Sequence, residues 1–478
     1  MALKGTATIE LTDVHTGRRE VVKHDNLVTN AVADALLGNG FGWMLDRSAM
    51  SIHPETEMLP LAGNLFGGIL LFEQALEENV AKYYAPSNNP VVGYSSNVVN
   101  SGGDVKQGSL NIAESGPLED GRGHRFVFDF ATSQGNGTIA SLGLTSKWGG
   151  VGAYGSETNS SSRAIKLTNR SITCNDVTAY PEREFKNYCE ACAFNDSKGV
   201  LITFLITATN EISIYEIPRL ISRVSLQGPV NMKFDSAAVP VKTIKTSVFG
   251  THAGSAAFVQ SGDFVYGFET SAAGSGAMRW IKVKLSDYSF SEGTWTLNAS
   301  PCAPGYCYDT ENNFTVIKYC IVHNGYLYIV SYSKSGIYRI NLDNPADIKL
   351  LTFADERAVD VYYDSTTSSY NKCVSMLNVV GDVVVFRNGY IQGDELIPCY
   401  YTKKSTSLAL SNNCASPALV CGPFLLTIGC NYRSVSNKVF YEGIYLMTPY
   451  LATINNLETP VTKTADKTMK ITYILREE

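Results

Sequence analysis

The segment at residues 467–475 places the strongest constraint on how this chain can fold. Its sequence is KTMKITYIL, in which Met469, Ile471, Tyr473 and Leu475 occupy every second position. This period of two predicts a β-strand with one buried face. An unpaired strand exposes a row of unsatisfied backbone groups, so the segment predicts a sheet elsewhere in the chain that receives it.

The first 150 or so residues offer such a sheet. Residues 4–23 predict a hairpin with the turn DVHTGRR, and residues 124–146 predict a second hairpin with the turn SQGNG. Between them, the pattern predicts a short helix at 26–38, a strand at 64–76 and a long Ser-, Asn- and Gly-rich loop at 85–121. This region therefore reads as an antiparallel β domain with one small helix.

A different pattern begins near residue 160. Apolar runs recur after Gly-containing turns, and each is followed by a polar turn and a second strand-like run. Their equivalent starts are Leu201, Phe264, Leu327, Val383 and Phe424. The spacing is irregular but lies near the ~40–50 residues of one propeller blade. We expect residues 160–440 to form a β-propeller of five or six blades, with a second β-sandwich as the alternative.

The fold class that follows is mainly β, with a split antiparallel β domain and an inserted β-propeller-like domain. Residues 1–155 are expected to form the N-terminal part of a β-sandwich-like domain, and residues 156–444 the propeller. Residues 445–478 then complete the first domain, because they carry the strand that needs an open sheet edge.

Composition argues against several classes of partner. The net charge is −6 and no basic stripe occurs, so we expect no nucleic-acid partner. The longest apolar runs have strand length, and the opening MALKGTATIELTDV lacks an apolar signal core, so we expect neither membrane insertion nor a signal peptide. Eleven scattered Cys, an odd number, are typical of reduced thiols made in a cytosol.

Residues with catalytic potential are dispersed. The six His match no metalloprotease or hydrolase motif, Cys189-x-x-Cys192 lacks a second ligand pair, and DTENN at 309–313 lacks the spaced ligands of a calcium loop. We expect no cofactor, no metal and no catalytic residue. Propellers can, however, host glycosidases with paired carboxylates. The candidate acids for that alternative are Asp263, Glu269, Asp309, Glu311, Asp355, Glu356, Asp360 and Asp364.

Aromatic residues are the better candidates for binding. Tyr and Trp combine a large contact area with a polar tip, which suits protein interfaces and sugar stacking alike. Most of the aromatics in the presumed propeller are expected to fill the packing between blades. Tyr306, Tyr308, Tyr362 and Tyr363 fall in predicted loops and are the candidate surface contacts.

Three segments resemble a known group of proteins. KGTATIELTDVHTGRREVVKHDNLVTNAVADALL, FVFDFATSQGNGTIASLGLT and LATINNLETPVTKTADKTMKITYIL look like parts of structural proteins of tailed-bacteriophage and prophage tails. The three segments together contain 79 residues, all in the split β domain, and they carry no catalytic chemistry. The inserted domain is not covered by this resemblance.

The resemblance implies a virion component at the distal tail, assembled in the cytoplasm of a bacterial host. Its partners would be other tail or baseplate proteins, further copies of the chain in a closed homo-oligomer, and a glycan or protein of the host surface. Two other readings stay open at this point. One is a virion-associated glycan-degrading propeller enzyme, a depolymerase, and the other is a cellular surface-binding propeller unrelated to phage.

Overall fold

The structure is a computed structural model, and for several strands it describes the backbone alone. The described residues are 3–30, 32, 66–82, 85–86, 88–95, 103–145, 164–174, 193–195, 198, 200–218, 239–310, 313–333, 335–353, 372–375, 377–380, 382–386, 389–398, 419–421, 424–434, 437–447 and 451–477.

The described strands fall into two compact units, with changeovers at Ile165/Lys166 and Tyr445/Leu446. The first unit combines both ends of the chain, and the second is formed by the residues between them. The architecture is thus a split β domain that carries an inserted β domain.

One ten-stranded sheet builds the split unit. Its strands, numbered along the whole chain, are β1 (Leu3–Asp13), β2 (Arg19–Val28), β3 (Gly68–Phe72), β4 (Val91–Ser95), β5 (Ser109–Leu110), β6 (Gly116–Pro117), β7 (Gly123–Phe130), β8 (Gly137–Thr145), β32 (Thr453–Lys463) and β33 (Lys467–Glu477). Their order across the sheet is β4-β3-β8-β32-β2-β1-β33-β7-β5, with β6 also paired to β7.

The last strand, β33, lies between β1 and β7 and pairs antiparallel with both. Ile471 lies opposite Ile9 on one side and Phe128 on the other, and all three side chains are buried. The rows above and below repeat this arrangement through Tyr473 and Met469, which are also buried. Cross-strand rows of this kind form the core of the unit and fix the register of β33.

The sheet nearly closes on itself. The amide N of Tyr94, in edge strand β4, donates to the carbonyl of Lys106 at 2.9 Å, and that of Gly108 donates to the carbonyl of Tyr94 at 2.8 Å. Since residues 106–108 lead into β5 at the opposite edge, these bonds join the two edges. A barrel-like closure leaves few exposed edge groups.

Three local expectations need correction here. The split unit is one nearly closed sheet rather than the two facing sheets of a sandwich. β2 continues to Val28, where it pairs with Thr453, so residues 26–28 belong to a strand and not to the predicted helix. The expected loop at 85–121 contains β4, β5 and β6, because even short Gly- and Ser-rich segments find partners at the sheet edges. Most of the remaining predicted helix lies outside the described residues.

Five four-stranded sheets dominate the inserted unit. Sheet one contains β10 (Ala193–Asn195), β11 (Val200–Ala208), β12 (Glu211–Pro218) and β13 (Lys242–Lys245). Sheet two contains β14 (Ala257–Ser261), β15 (Phe264–Thr270), β16 (Ala277–Lys284) and β17 (Phe290–Thr296). Sheet three contains β20 (Cys320–His323), β21 (Tyr326–Val330), β22 (Ile337–Asn341) and β23 (Ile348–Leu351).

Sheet four contains β25 (Leu377–Val380), β26 (Val383–Phe386), β27 (Gly389–Gln392) and β28 (Glu395–Pro398). Sheet five contains β29 (Leu419–Cys421), β30 (Phe424–Ser434), β31 (Asn437–Met447) and β9 (Ala164–Cys174). A further, three-stranded sheet contains β18 (Gly305–Thr310), β19 (Asn313–Lys318) and β24 (Lys372–Ser375). One 3-10 turn, Ala253–Ser255, precedes sheet two.

The first strands of the five sheets adjoin one another. β10 contacts β29 and β14, β14 contacts β20, and β20 contacts β25. Sheet five takes its fourth strand, β9, from the start of the unit, so early and late parts of the unit share one sheet. This is a β-propeller-like arrangement, in which radial repetition protects the sheet edges.

The sequence repeat corresponds to one structural position. Each of its five starting residues lies at the first or second residue of the second strand of a four-stranded sheet. These strands are β11, β15, β21, β26 and β30. In β15, β21 and β26, where side chains are described, the strands are largely buried, which explains why their sequences are continuously apolar.

Neighbouring sheets pack face to face. One face of sheet two contributes Val265 and Ile281 to a core shared with sheet one, and the other contributes Phe268 and Met278 to a core shared with sheets three and four. Polar contacts join the same sheets: Gln260 in sheet two hydrogen-bonds both the N–H and the carbonyl of Phe194 in sheet one. No helix within the described residues is long and apolar enough to cross a membrane.

Replacing Ile471 tests the closing strand. Ile471→Ala should lower the free energy of unfolding of the split unit by about 2–5 kcal/mol, because it leaves a cavity between Ile9 and Phe128. Thr472→Ala, one residue along on the opposite face, should cost about 1 kcal/mol or less. Scanning calorimetry would measure both. Equal losses for the two variants would contradict the assigned register.

A buried lysine also joins the two ends of the chain. Lys463, at the end of β32, is 1% exposed, and its Nζ donates to Asn136 Oδ1 at 2.7 Å and to the Thr132 carbonyl at 3.1 Å. Burial lowers the pKa of Lys463 to about 8, although the charge of Asp466 acts in the opposite direction. The ammonium group therefore binds the β7–β8 turn, and it loses its hydration by water because it is buried.

The lowered pKa of Lys463 predicts a pH dependence of stability. Between about pH 8 and the unfolded pKa near 10.4, the unfolded chain binds more protons, so stability rises with pH in that window. From pH 7.5 to 9.5, wild type should gain roughly 1–2 kcal/mol more than Lys463→Met. Denaturant titrations of both proteins at several pH values would measure this difference. Parallel pH profiles would show that Lys463 titrates normally in the folded state.

Candidate functional site

The four tyrosines predicted as surface contacts are only partly described. Tyr306 is 46% exposed, and it lies in strand β18 rather than in the predicted loop. Tyr308 lies two residues along the same strand, where the structure describes the backbone alone. Tyr362 and Tyr363 lie outside the described residues.

In the propeller-like unit, loops of sheets two and three meet at the segment that precedes β18, the strand of Tyr306. They are the β15–β16 loop (271–276), the segment after β17 (297–304) and the β21–β22 loop (331–336). The amide N of Gly274 donates to the Pro301 carbonyl at 2.8 Å, and that of Tyr332 donates to the Ser300 carbonyl at 2.9 Å. The middle segment is thus bonded to the loops on both sides of it.

Tyr332, in the β21–β22 loop, is exposed, with 57% of its surface accessible. Its ring packs beside Gly274, whose φ of +79° favours glycine. A Cβ at residue 274 would lie 3.4 Å from ring atom Cδ1 of Tyr332 and 3.2 Å from Oγ of Ser300. Gly274 therefore provides both the turn and the close support for the ring.

Serine residues lie in the same loops as this tyrosine. The Ser331 hydroxyl is buried and accepts a hydrogen bond from the Gly336 amide at 3.2 Å. Ser331 Oγ lies 3.2 Å from Ser333 Oγ, which lies 2.8 Å from Ser335 Oγ. Ser300 Oγ donates to the Gly274 carbonyl at 3.1 Å. The side chains of Ser300, Ser333 and Ser335 are exposed. We call the set Gly274, Ser300, Ser331, Tyr332, Ser333 and Ser335 the tyrosine–serine surface.

The described residues of the three loops carry no charged side chain. Their sequences are SAAGSG, LNASPCAP and SYSKSG, in which the single charged residue, Lys334, lies outside the described set. Small, hydroxyl-rich residues beside an exposed Tyr can adapt to a polar ligand.

A second aromatic group lies on sheet two. The Nζ of Lys282 lies 4.3 Å from the ring centroid of Phe264 and 5.5 Å from that of Tyr266. The indole of Trp280 lies across the neighbouring strand, where a Cβ on Gly293 would approach its ring to 3.0 Å. The Trp280 ring covers the space beside Gly293, and Tyr266 and Trp280 pack against the core shared with sheet three. We therefore assign this aromatic group to packing.

The candidate acids do not converge in the described part of the chain. Glu269 is fully buried, and its carboxylate accepts hydrogen bonds from the amides of Thr251 and His252, each at 3.2 Å. Arg279 NH1 approaches the same carboxylate at 3.6 Å. Asp263 is exposed in the β14–β15 turn. Asp309 has a described backbone only, and the other candidates, Glu311, Asp355, Glu356, Asp360 and Asp364, lie outside the described residues.

Other acids join neighbouring sheets. Glu292 in sheet two accepts from the amide and hydroxyl of Ser247 at 2.7 and 2.8 Å, beyond the end of sheet one. Asp394 in sheet four pairs with Arg339 of sheet three, and also with Lys349 at 2.9 Å. Carboxylates in these positions fix loops and sheet contacts. Across the described residues, no cluster of three or more His, Cys, Asp or Glu is arranged to hold a metal ion.

Two of the described histidines, His124 and His323, are partly buried. His323 is partly buried, and its Nε2 lies 3.0 Å from the carbonyl of Asp382 in the next sheet. Burial lowers the pKa of His323, against the smaller raising effect of that hydrogen bond. Burial also lowers the pKa of His124, whose ring lies 4.3 Å from that of Phe126. Both rings are therefore favoured in their neutral form at pH 7.

The variant Glu269→Ala tests whether the Glu269 carboxylate stabilises the fold. The change leaves the Thr251 and His252 amides without their acceptor and Arg279 without its counter-ion. It should destabilise the propeller-like unit by roughly 2–3 kcal/mol, whereas Asp263→Ala should stay within about 0.5 kcal/mol. Thermal unfolding of both variants measures this. Unchanged stability in Glu269→Ala would argue that Glu269 is kept for another purpose.

Comparisons with known proteins identify no relative by sequence. No family model matches the chain, and no curated protein matches it. A structure described as "Kluyveromyces lactis Hsv2 complete loop 6CD" is 12% identical, with 49% of this chain and 68% of that chain covered and a TM-score of 0.21. One from "Structural and Mechanistic Analysis of Two Prolyl Endopeptidases: Role of Inter-Domain Dynamics in Catalysis and Specificity" is 8% identical, with 86% and 55% covered and a TM-score of 0.23. At these TM-scores neither likeness carries a functional argument.

Proposed function

We propose that this chain is a structural protein of a bacteriophage tail tip, baseplate or fibre region. In this proposal the split β unit docks to the tail, and the propeller-like unit presents its loops to another protein or to the host surface. The protein acts by binding and assembly, together with other tail proteins and further copies of itself.

The observation that carries the proposal is the composition of the split sheet. Its strands β1, β2, β7, β8, β32 and β33 come from the three segments that resemble tail structural proteins. These segments are far apart in sequence but supply six of the ten strands of one sheet, so the resemblance concerns one structural unit. The inserted unit is joined to that sheet through two connections, which suits a second domain that binds a separate partner.

The loops of the propeller-like unit support the binding part of the proposal. Tyr332 supplies exposed contact area where the loops of sheets two and three meet, and Tyr306 is exposed in β18. The described carboxylates with partners, including Glu269, Glu292 and Asp394, are used to hold loops and neighbouring sheets. These contacts are consistent with a presented binding surface.

Labelling of intact particles tests the proposal. An antibody against residues 200–430 should label the tail end of tailed particles produced by the source organism, in electron micrographs of purified particles. Particles from a mutant that lacks the chain serve as the control and should carry no label. Absence of label from wild-type particles would contradict a virion role, and polysaccharide-degradation assays would then examine the enzyme alternative.

A further inference from the structure

We propose that a second copy of this chain pairs with the free edge of β2, so that the two copies of the strand lie antiparallel and are centred on Val22. Backbone hydrogen bonds would then continue the sheet of one split unit into the other. The inference deepens the proposed function and rests on the part of it in which several copies of the chain assemble, because it names the surface through which two copies meet.

One edge of β2 is open along most of its length. In the described part of the split unit, residues 19–26 pair with β1 alone, and only Leu27 and Val28 also pair with β32. The amide N of Asp13 donates to the carbonyl of Arg18 at 3.0 Å, and the direction of the backbone groups alternates from there. The N–H and C=O groups of residues 19, 21 and 23 therefore point away from β1, toward the open edge.

This edge lacks two features that protect strand edges from pairing. β1 and β2 pair without a register shift from residue 19 to residue 26. The neighbouring strand β32, by contrast, has a register shift between Asn456 and Val461, and Pro460 lies within it. A bulge and a proline prevent a further strand from pairing, whereas a regular strand can accept one. The β2 edge is also accessible, since Val21 is 57% exposed.

The charges along β2 match those of a second copy that runs in the opposite direction. Centring the pair on Val22 places Arg19 of each copy opposite Asp25 of the other. Val21 then lies opposite Lys23, whose aliphatic stem can cover it. Because the contact has two-fold symmetry, each of these pairs forms twice.

The neighbouring registers are unfavourable. Centring the two strands on Val21 would place Arg19 opposite Lys23 of the second copy. Centring them on Lys23 would place two lysines opposite each other. Like charges directly opposite each other are destabilising in a sheet, so charge selects the register centred on Val22.

The charged side chains at this edge remain available to a second copy. Arg19 Nη1 lies 3.5 Å from Glu10 Oε1, and Asp25 Oδ2 lies 2.9 Å from Lys4 Nζ. The side chains of Arg19 and Asp25 are nevertheless 66% and 61% exposed. Exposed ion pairs contribute little to stability, so these side chains can turn to a new partner at small cost.

Exchanging charges tests the contact in the full chain. Sedimentation velocity should show a wild-type dimer whose fraction rises over roughly 1–100 μM, because a single strand contact is small. Arg19→Asp and Asp25→Arg each place like charges opposite each other in a dimer with itself. Each variant alone should therefore raise the dissociation constant by about tenfold or more.

Mixing the two variants restores opposite charges. In the mixed dimer, both pairs between residues 19 and 25 again join an acid to a base, so Arg19→Asp and Asp25→Arg should associate with each other about as tightly as wild type does with itself. The double variant should recover self-association as well. Asp263→Arg is the matched control: Asp263 is exposed in a turn of the inserted unit, and its reversal should leave the dimer unchanged.

Three results would overturn the inference. They are a wild-type chain that stays monomeric up to roughly 100 μM, self-association that both charge variants leave intact, and loss in each variant without recovery in the mixture. A failure here is separable from a failure of the proposed function. Antibody label at the tail end with a monomeric chain would remove this inference alone, whereas charge-dependent dimers without label on particles would remove the tail role.

Discussion

The pairing of β33 between β1 and β7 is the constraint on which the rest of the molecule depends. It brings Ile471 against Ile9 and Phe128, so the core of the split unit requires both ends of the chain. Contacts of such sequence separation are slow to form, because a long loop must close before they contribute stability. The inserted unit is connected to the same sheet at two points, because the chain enters it after β8 and leaves it into β32.

The sequence reveals much of this fold, because its main elements carry strong local patterns. The alternation in β1, β7 and β33 shows which face is buried, and the apolar second strands mark all five four-stranded sheets. Other elements depend on distant partners. β2 extends through Asn26 and Leu27 because Leu27 pairs with Ile454, and β4 forms at the edge where it meets β3. Neither pairing is visible in the local sequence, which there resembles a helix start or a loop.

The sequence predicts surface tyrosines without placing them correctly. Tyr306 is exposed, but it lies in strand β18 and not in a loop. Tyr332 was not singled out, because its platform depends on Gly274 in a neighbouring sheet. The one local signal was the SYSKSG turn, where Tyr follows a buried strand among small polar residues. Glu269 is a candidate catalytic acid by sequence, but in the structure its carboxylate accepts hydrogen bonds from two backbone amides.

The most direct measurement of the central claim is amide hydrogen exchange of the full chain, followed by mass spectrometry. β33 is paired on both sides, so peptides from 467–477 should exchange as slowly as those from β1. The exposed loop residues 271–273 should exchange faster and calibrate the scale. Rapid exchange throughout 467–477, with β1 still protected, would contradict the account, because the C-terminal strand would then not complete the sheet.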